Sequence, residues 1–331
     1  DITNALTLTG GYRWAEFDRD EVDFTYYPDG LITAGLADGG DGATRSKGKD
    51  DDAIYKVSLD YRINEDIMVY GLYSQGFRLG GSNSPRAVAT GQVVANYDSD
   101  TLDNYELGIK SQWWENRLKF NATLFKMEWK DYQQSTTFQQ WWNRGTLNAG
   151  DAEITGIELD VALQATDNLK FNLSLFSADA QFKDDIFFSA TADPATASRN
   201  IRSGMDLPSS PDLKGHISVY YEIDDVLGGD AWVYFDTSYQ SETWNGTSDI
   251  VINDKNGLSG TYTVSNLSFG LDLSDGLNVT LMINNVFDDN DSTYVSTYYG
   301  DYADLFGDNR YHNEQTLERP RTVWLTMRKA F

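Results

Sequence analysis

The sequence predicts an all-β protein, a transmembrane antiparallel β-barrel, on three observations. Apolar residues recur with a period of two along most of the chain, long and short connections alternate strictly, and aromatics reach 14% although mean hydropathy is -0.49. A strand points successive side chains to opposite faces, so a period of two is the strand signal. Amphipathic rings in such excess are what a membrane interface collects. No run approaches the roughly 20 apolar residues of a membrane-spanning helix, which excludes spanning by helices.

About twelve strands follow in order. The first is expected near 5–17, in LTLTGGYRWAEF. The second, 54–62, sets Tyr55, Val57, Leu59 and Tyr61 against Lys56, Ser58, Asp60 and Arg62, and an NED turn leads into 67–78. Strand 102–113 opposes Tyr105, Leu107 and Ile109 to Glu106, Gly108 and Lys110, and passes through ENR into 117–131. Strand 150–163 opposes Ile157, Leu159 and Val161 to Glu158 and Asp160, and TDN joins it to 168–182, where Leu169, Phe171, Leu173 and Leu175 align. Strand 211–222 carries Ile217, Val219 and Tyr221 and leads through DDVLGGD into 230–242. The turn SDG separates 260–272 from 277–288, where Leu277, Val279, Leu281 and Ile283 align. The last strand, 319–331, puts Val323, Leu325, Met327 and a terminal Phe331 on one face as a closing edge. Lys329 shares that face and has to snorkel to the interface.

The long connections are 18–53, 79–101, 132–149, 183–210, 243–259 and 289–318, and every tight turn falls between them. A soluble sandwich has no reason to sort its connections by length. An outer-membrane barrel does, with short periplasmic turns, long extracellular loops, apolar side chains toward lipid and polar ones toward the lumen.

Charge and composition narrow the function. Acidic residues outnumber basic ones 51 to 26, for a net charge of -25, which excludes nucleic acid as a partner. Cysteine is absent, removing thiolate metal sites and disulfides, and no secretory leader pattern is visible, so the chain reads as mature or as a fragment. Hydrolase and metalloprotease signatures are missing, and the only histidines are His216 and His312. His216 alternates with Ile217 and falls on the lumen side; His312 falls in the last long connection as a solvated loop residue. The acidic runs DGGDG, KDDD and DDNDS lack EF-hand spacing and read as solvated loops. No cofactor is expected.

One stretch is puzzling by itself: YGLYSQGFRLGGSN at 70–83 runs an aromatic strand into a glycine-rich, basic exit. It resembles the Y-x-x-Y-S-x-G-F-[KR]-x-G-G segment of TonB-dependent outer-membrane receptors. Three further segments are similar in the family's order: NYELGIKSQWWENRLKFNATLFKMEWKDYQ, LNAGDAEITGIELDVALQATDNLKFNLSLFSADAQF and NNVFD. The resemblance covers the barrel only. It implies a 22-stranded barrel of which this chain supplies the C-terminal portion, 1–331, a plug domain and first strands carried elsewhere, and a plug-borne contact with the TonB complex. It also implies an outer-membrane location among lipid and lipopolysaccharide, and import of a small-molecule ligand such as a ferric siderophore.

The long loops supply candidate ligand residues. TTFQQWWNR places Phe138, Trp141 and Trp142 beside Arg144, and STYYGDYADLF supplies Tyr298, Tyr299 and Tyr302. Rings gathered around a cation suit an aromatic siderophore or a sugar. Arg78 is expected to face the lumen or the plug and is counted with these ligand-binding candidates. Two other readings stay open at this point: a self-contained passive porin of about twelve strands, and a barrel hydrolase with a nucleophile near His216.

Overall fold

The computed structural model describes residues 2–24, 43–84, 87–88, 93–138, 143–187, 200–245, 258–300 and 310–330. Alternation becomes twelve wall strands: β1 (Leu6–Phe24), β2 (Ala43–Arg62), β3 (Ile67–Arg78), β4 (Asp100–Trp113), β5 (Leu118–Lys130) and β6 (Ala152–Gln164) form the first half. β7 (Leu169–Phe182), β8 (Leu213–Val226), β9 (Gly229–Gln240), β10 (Tyr262–Leu273), β11 (Leu277–Asn284) and β12 (Thr322–Lys329) form the second. Consecutive wall strands pair antiparallel in a single sheet. All twelve expected strands are present.

The cross-strand register decides what each face carries. Leu8 lies opposite Leu59, Leu107 opposite Leu124, and Leu124 opposite Ile157. These five are 39–63% exposed, so no protein layer covers them. Above this leucine band lie Tyr12, Tyr55, Tyr73 and Tyr105 on the same face, with ring centroids 5.3 Å apart for the first two and 5.2 Å for the last two. Below it lie Tyr61, Trp113 and Tyr221. Tyr105 and Trp113 are about 26 Å apart along their strand at ~3.3 Å per residue, which matches an apolar band between two aromatic girdles. The opposite face carries Lys110 and Asn121 in one row and Asn172 and Ser218 in another.

Water could not hold this sheet together. Among the described residues the buried apolar side chains on wall strands are Phe125, Ala152, Ala178, Ala180 and Phe182; the others, including Ile201 and Leu207, belong to the connections. Burying one Leu or Phe is worth about 1.5–3 kcal/mol, and here most such side chains face outward. Hydrocarbon is the solvent that suits them.

Several boundaries differ from the periodicity. β1 and β2 stay paired as far as Phe24 and Ala43, well into the segment expected as the loop 18–53. Apolar alternation fades there, but the backbone ladder does not require it, and ion pairs between Glu16 and Lys49 and between Asp20 and Lys47 link the strands. β8 runs four residues past its expected end because a bulge between Ile223 and Val226 absorbs the first part of DDVLGGD. β11 stops at Asn284, since Asn285 takes φ 51° and its side-chain amide donates to the carbonyls of Asp289 (2.7 Å) and Arg319 (2.8 Å). β12 begins only at Thr322, after Pro320, which has no N–H for the ladder.

Lys329 pairs with Leu277 on the lipid face, and its ammonium reaches the Asp275 carboxylate (2.7 Å) and carbonyl (2.7 Å) in the SDG turn. This is the expected snorkelling, with a specific anchor. Phe331 lies outside the described residues.

At the other end the long connections are themselves hairpins. Short pairs form at 81–82 with 96–97, 133–138 with 143–148, 186–187 with 200–201, 243–244 with 258–259, and 292–300 with 310–317. His312, expected in a loop, therefore belongs to a strand and pairs with Tyr298.

β1 bonds only β2, and β12 only β11, among the described residues, so the twelve strands do not close on themselves. Leu124→Arg, at the middle of the lipid face, is expected to cost about 2–4 kcal/mol in urea unfolding of bilayer-reconstituted protein. Ser58→Arg, on the inward face, should cost far less.

Candidate functional site

The puzzling exit at 70–83 is a loop clamp. Successive residues of β3 alternate faces, so Tyr70 and Arg78 point inward and Tyr73 outward. The Arg78 guanidinium grips Asp100 at the start of β4, with Nε donating to both carboxylate oxygens at 2.9 and 3.1 Å and an Nη2 ion pair beside them. It also lies 4.5 Å over the Trp129 ring and 5.1 Å over that of Tyr132. Asp100, with a side chain 0% exposed, accepts the Gln133 backbone N–H (3.0 Å) as well. The Gln133 side chain then donates to the carbonyls of Leu79 (2.9 Å) and Asp98 (3.0 Å). The glycines serve the same closure: a Cβ on Gly80 would run into the Tyr97 carbonyl oxygen, and one on Gly81 into the Tyr97 ring.

Around this clamp the connections lock together. Asn83 exchanges two hydrogen bonds with the Thr146 backbone, both 2.7 Å, tying the first described loop hairpin to the next. Beneath them Ala149, Ala152, Ala180, Phe182, Ile201 and Leu207 form a buried cluster. Tyr132 sets its ring edge-on to Trp129 (4.7 Å) and Phe182 (5.6 Å), and burial pushes its phenol pKa up. Farther round the wall Asn245 donates to Ser259 Oγ (2.6 Å) and the Val295 carbonyl (2.7 Å), joining two more connections. Among the described residues this apolar cluster sits where the upper ends of β6 and β7 meet the connections.

Of the residues singled out in the sequence, Arg78 is committed to Asp100 and two rings, an anchoring role that the glycines beside it alone did not reveal. Phe138 ends one strand of a hairpin and Arg144 is the second residue of the other, with backbone partners Asn143 and Thr137. Tyr298 and Tyr299 pair with His312 and Tyr311 in another hairpin, between β11 and β12. Trp141, Trp142 and Tyr302 lie outside the described residues. Val323, Leu325 and Met327 project from the lipid face at 61–64% exposure.

His216 lies on the inward face between Ser174 and Ser238, and its Nδ1 sits 3.0 Å from Ser238 Oγ. The nearby carboxylate of Asp160 accepts the Ser174 hydroxyl at 2.7 Å. Among the described residues no carboxylate bonds His216, so the pair lacks the third group that orients a catalytic histidine. Sequence reading missed the carboxylates around Tyr70. That phenol bonds Thr123 (2.9 Å) and Glu106 (3.4 Å), and Glu158 lies in the same row as Thr123, all facing the lumen.

On the outward side, above the membrane, Asp179, Asp206 and Asp212 converge on a recess of about 530 Å³. Among the described residues no group of three or more potential ligands is arranged to hold a metal. Burial first, then the charges of Asp212 and Asp179, raise the pKa of Asp206.

Two outcomes follow. Removing one partner of a buried pair costs about 3–5 kcal/mol, less here because Arg78 is 44% exposed. Arg78→Ala should accelerate hydrogen exchange across 96–100 and 131–150 while the membrane segments of β4 and β5 stay protected. Because the folded pKa of Asp206 exceeds its unfolded value, its proton favours the folded loop. Protection of 202–212 should therefore fall as pH rises from the ordinary carboxylate value through the raised one, and Asp206→Asn should flatten that dependence.

The family described as "TonB dependent receptor-like, beta-barrel" matches residues 1–286. The chain is 25% identical over 183 residues to a probable TonB-dependent siderophore receptor, PiuA, of Acinetobacter baumannii, covering 53% of this chain and 21% of that protein. It is 23% identical over 295 residues to the pesticin receptor of Yersinia pestis, covering 88% of this chain and 38% of that protein. The solved ferric yersiniabactin uptake receptor FyuA of Yersinia pestis superposes with a TM-score of 0.71 at 18% identity, over 100% of this chain and 44% of that one. The chain thus spans less than half the length of each of these relatives. With a family match over most of its residues and the same barrel-wall fold, the chain belongs to the TonB-dependent receptor β-barrel family.

Proposed function

We propose that this chain is the C-terminal part of the barrel of an outer-membrane receptor that captures a scarce solute, most simply a ferric siderophore, on its long loops. Import would draw energy from the TonB complex. The observation that carries this reading is the open twelve-stranded wall, apolar outside, polar inside and roofed at one end by cross-tied hairpins. In hydrocarbon each unpaired backbone group at an edge costs several kcal/mol, so β1 and β12 call for further strands of a larger barrel. That requirement speaks against a self-contained passive porin of twelve strands.

The inward face supports a lumen-filling plug. Glu106 and Glu158 form no ion pair among the described residues, and a filled lumen is where such carboxylates meet partners. The relatives' names supply the solute class, since one is called a siderophore receptor and another takes up ferric yersiniabactin. The outward girdles fit lipid, and the charged segment above them fits the lipopolysaccharide layer. The family match is to receptors, which supports transport over a hydrolase reading.

Ligand capture is assigned to Phe138, Trp141, Trp142 and Arg144 with Tyr298, Tyr299 and Tyr302. Trp141→Ala combined with Trp142→Ala is expected to weaken ferric-siderophore binding by on the order of tenfold or more, with barrel assembly intact. Unchanged affinity would remove the loop assignment. Uptake that persists in cells lacking TonB would remove energy coupling.

A further inference from the structure

Cations on the two faces of the wall are treated differently. Every described lysine that points outward is neutralised: Lys47 by Asp20, Lys49 by Glu16, Lys126 by Glu128 and Glu153, Lys130 by Asp103, Lys183 by Glu153 and Lys329 by Asp275. On the inward face, Arg62, Lys110, Lys119 and Lys170 gather toward the short-turn end, and none makes an ion pair among the described residues. All four are exposed. Lys110 and Lys170 hold their ammonium groups 5.5 Å over the rings of Tyr70 and Tyr220, inward-facing tyrosines of the same wall.

Carboxylates are close by but do not quench the band. Asp160 shares a row with Asn121 and is taken by Ser174. Asp60 is two residues from Arg62, and Glu65 and Asp66 line a recess of about 260 Å³ beside Lys110 and Lys119 without pairing to them. The rows above, with Glu106 and Glu158, carry the opposite sign.

We propose that Arg62, Lys110, Lys119 and Lys170 form a docking band for an acidic surface of the unit that fills the lumen, holding it at the short-turn end of the barrel. This rests on the reading above that the lumen is filled. The width of the band favours a protein surface over a transported anion. From β2 to β7 there are five inter-strand steps, about 24 Å at ~4.8 Å each, too wide for one small molecule to bridge. A body that sealed the lumen here without carboxylates would strip water from four cations and give them nothing in its place. A body carrying carboxylates would recover that loss.

The test uses the native receptor, purified from outer membranes with its lumen-filling unit, in planar bilayers under rising urea, where release of that unit opens the pore. Arg62→Gln, Lys110→Gln, Lys119→Gln and Lys170→Gln are combined, with assembly of the barrel checked by its heat-modifiable migration. The combined variant should show about tenfold more open pores at urea concentrations below the wild-type midpoint. In the wild type, carbodiimide should also link Lys110, Lys119 or Lys170 to an Asp or Glu of the luminal unit. An unchanged urea midpoint without such links overturns the docking band. An unchanged midpoint with reduced solute uptake overturns it too, and assigns the band to an anion in transit. A wild-type receptor that conducts fully without urea has no luminal unit, and it is then the filled-lumen reading that fails.

Discussion

Everything in this molecule depends on the satisfaction of backbone hydrogen bonds in a medium that offers none. A sheet in hydrocarbon keeps its N–H and C=O groups only by pairing each strand on both sides. That is why twelve strands follow one another around the wall in strict order. The same medium reverses the usual burial rule. Leucine and valine face outward without loss, and polar groups collect on the side that other proteins would fill with a core. Among the described residues β1 and β12 are the two strands that pair on one side only.

Once the wall is set by lipid, the loops need a stability of their own, because they stand in water. They obtain it as soluble proteins do, with a buried cluster around Phe182, Ile201 and Leu207 and with side-chain amides that tie one hairpin to the next. The Arg78–Asp100 pair links the two regimes. It sits where β3 and β4 leave the sheet, and it draws the 133–148 hairpin onto the wall through Gln133 and the rings of Trp129 and Tyr132. A charge pair with an aromatic floor is well suited to that position, since Asp100 loses its water but gains donors on several sides. Loop geometry, and with it any ligand site, is inherited from this junction.

The wall was legible because its signal is local. Side chains two residues apart share a face whatever the rest of the chain does, so Leu107 and Ile109 could be assigned outward from six residues of sequence. Where the signal is not local, reading stopped early. The extension of β1 and β2 to Phe24 and Ala43 is held by ladder hydrogen bonds and charge pairs that no apolar pattern announces. His312 looked like a loop residue because its partner, Tyr298, is remote in sequence. Asp100 gave no sign at all: one aspartate among many, distinguished only by burial under Arg78.

By itself the sequence determined the strand count, the facing of those strands whose apolar residues alternate, the sorting of long and short connections, and through quoted motifs the family. These follow from a period of two and from turn residues, which act over a few bonds. Only the tertiary structure decided that the glycines at 80 and 81 exist to admit Tyr97, that Arg78 is an anchor, and that, among the described residues, outward lysines are neutralised while inward ones form no ion pair. Each of those depends on which strands become neighbours and in what register, and register is a property of pairs of strands that a single strand's sequence does not contain.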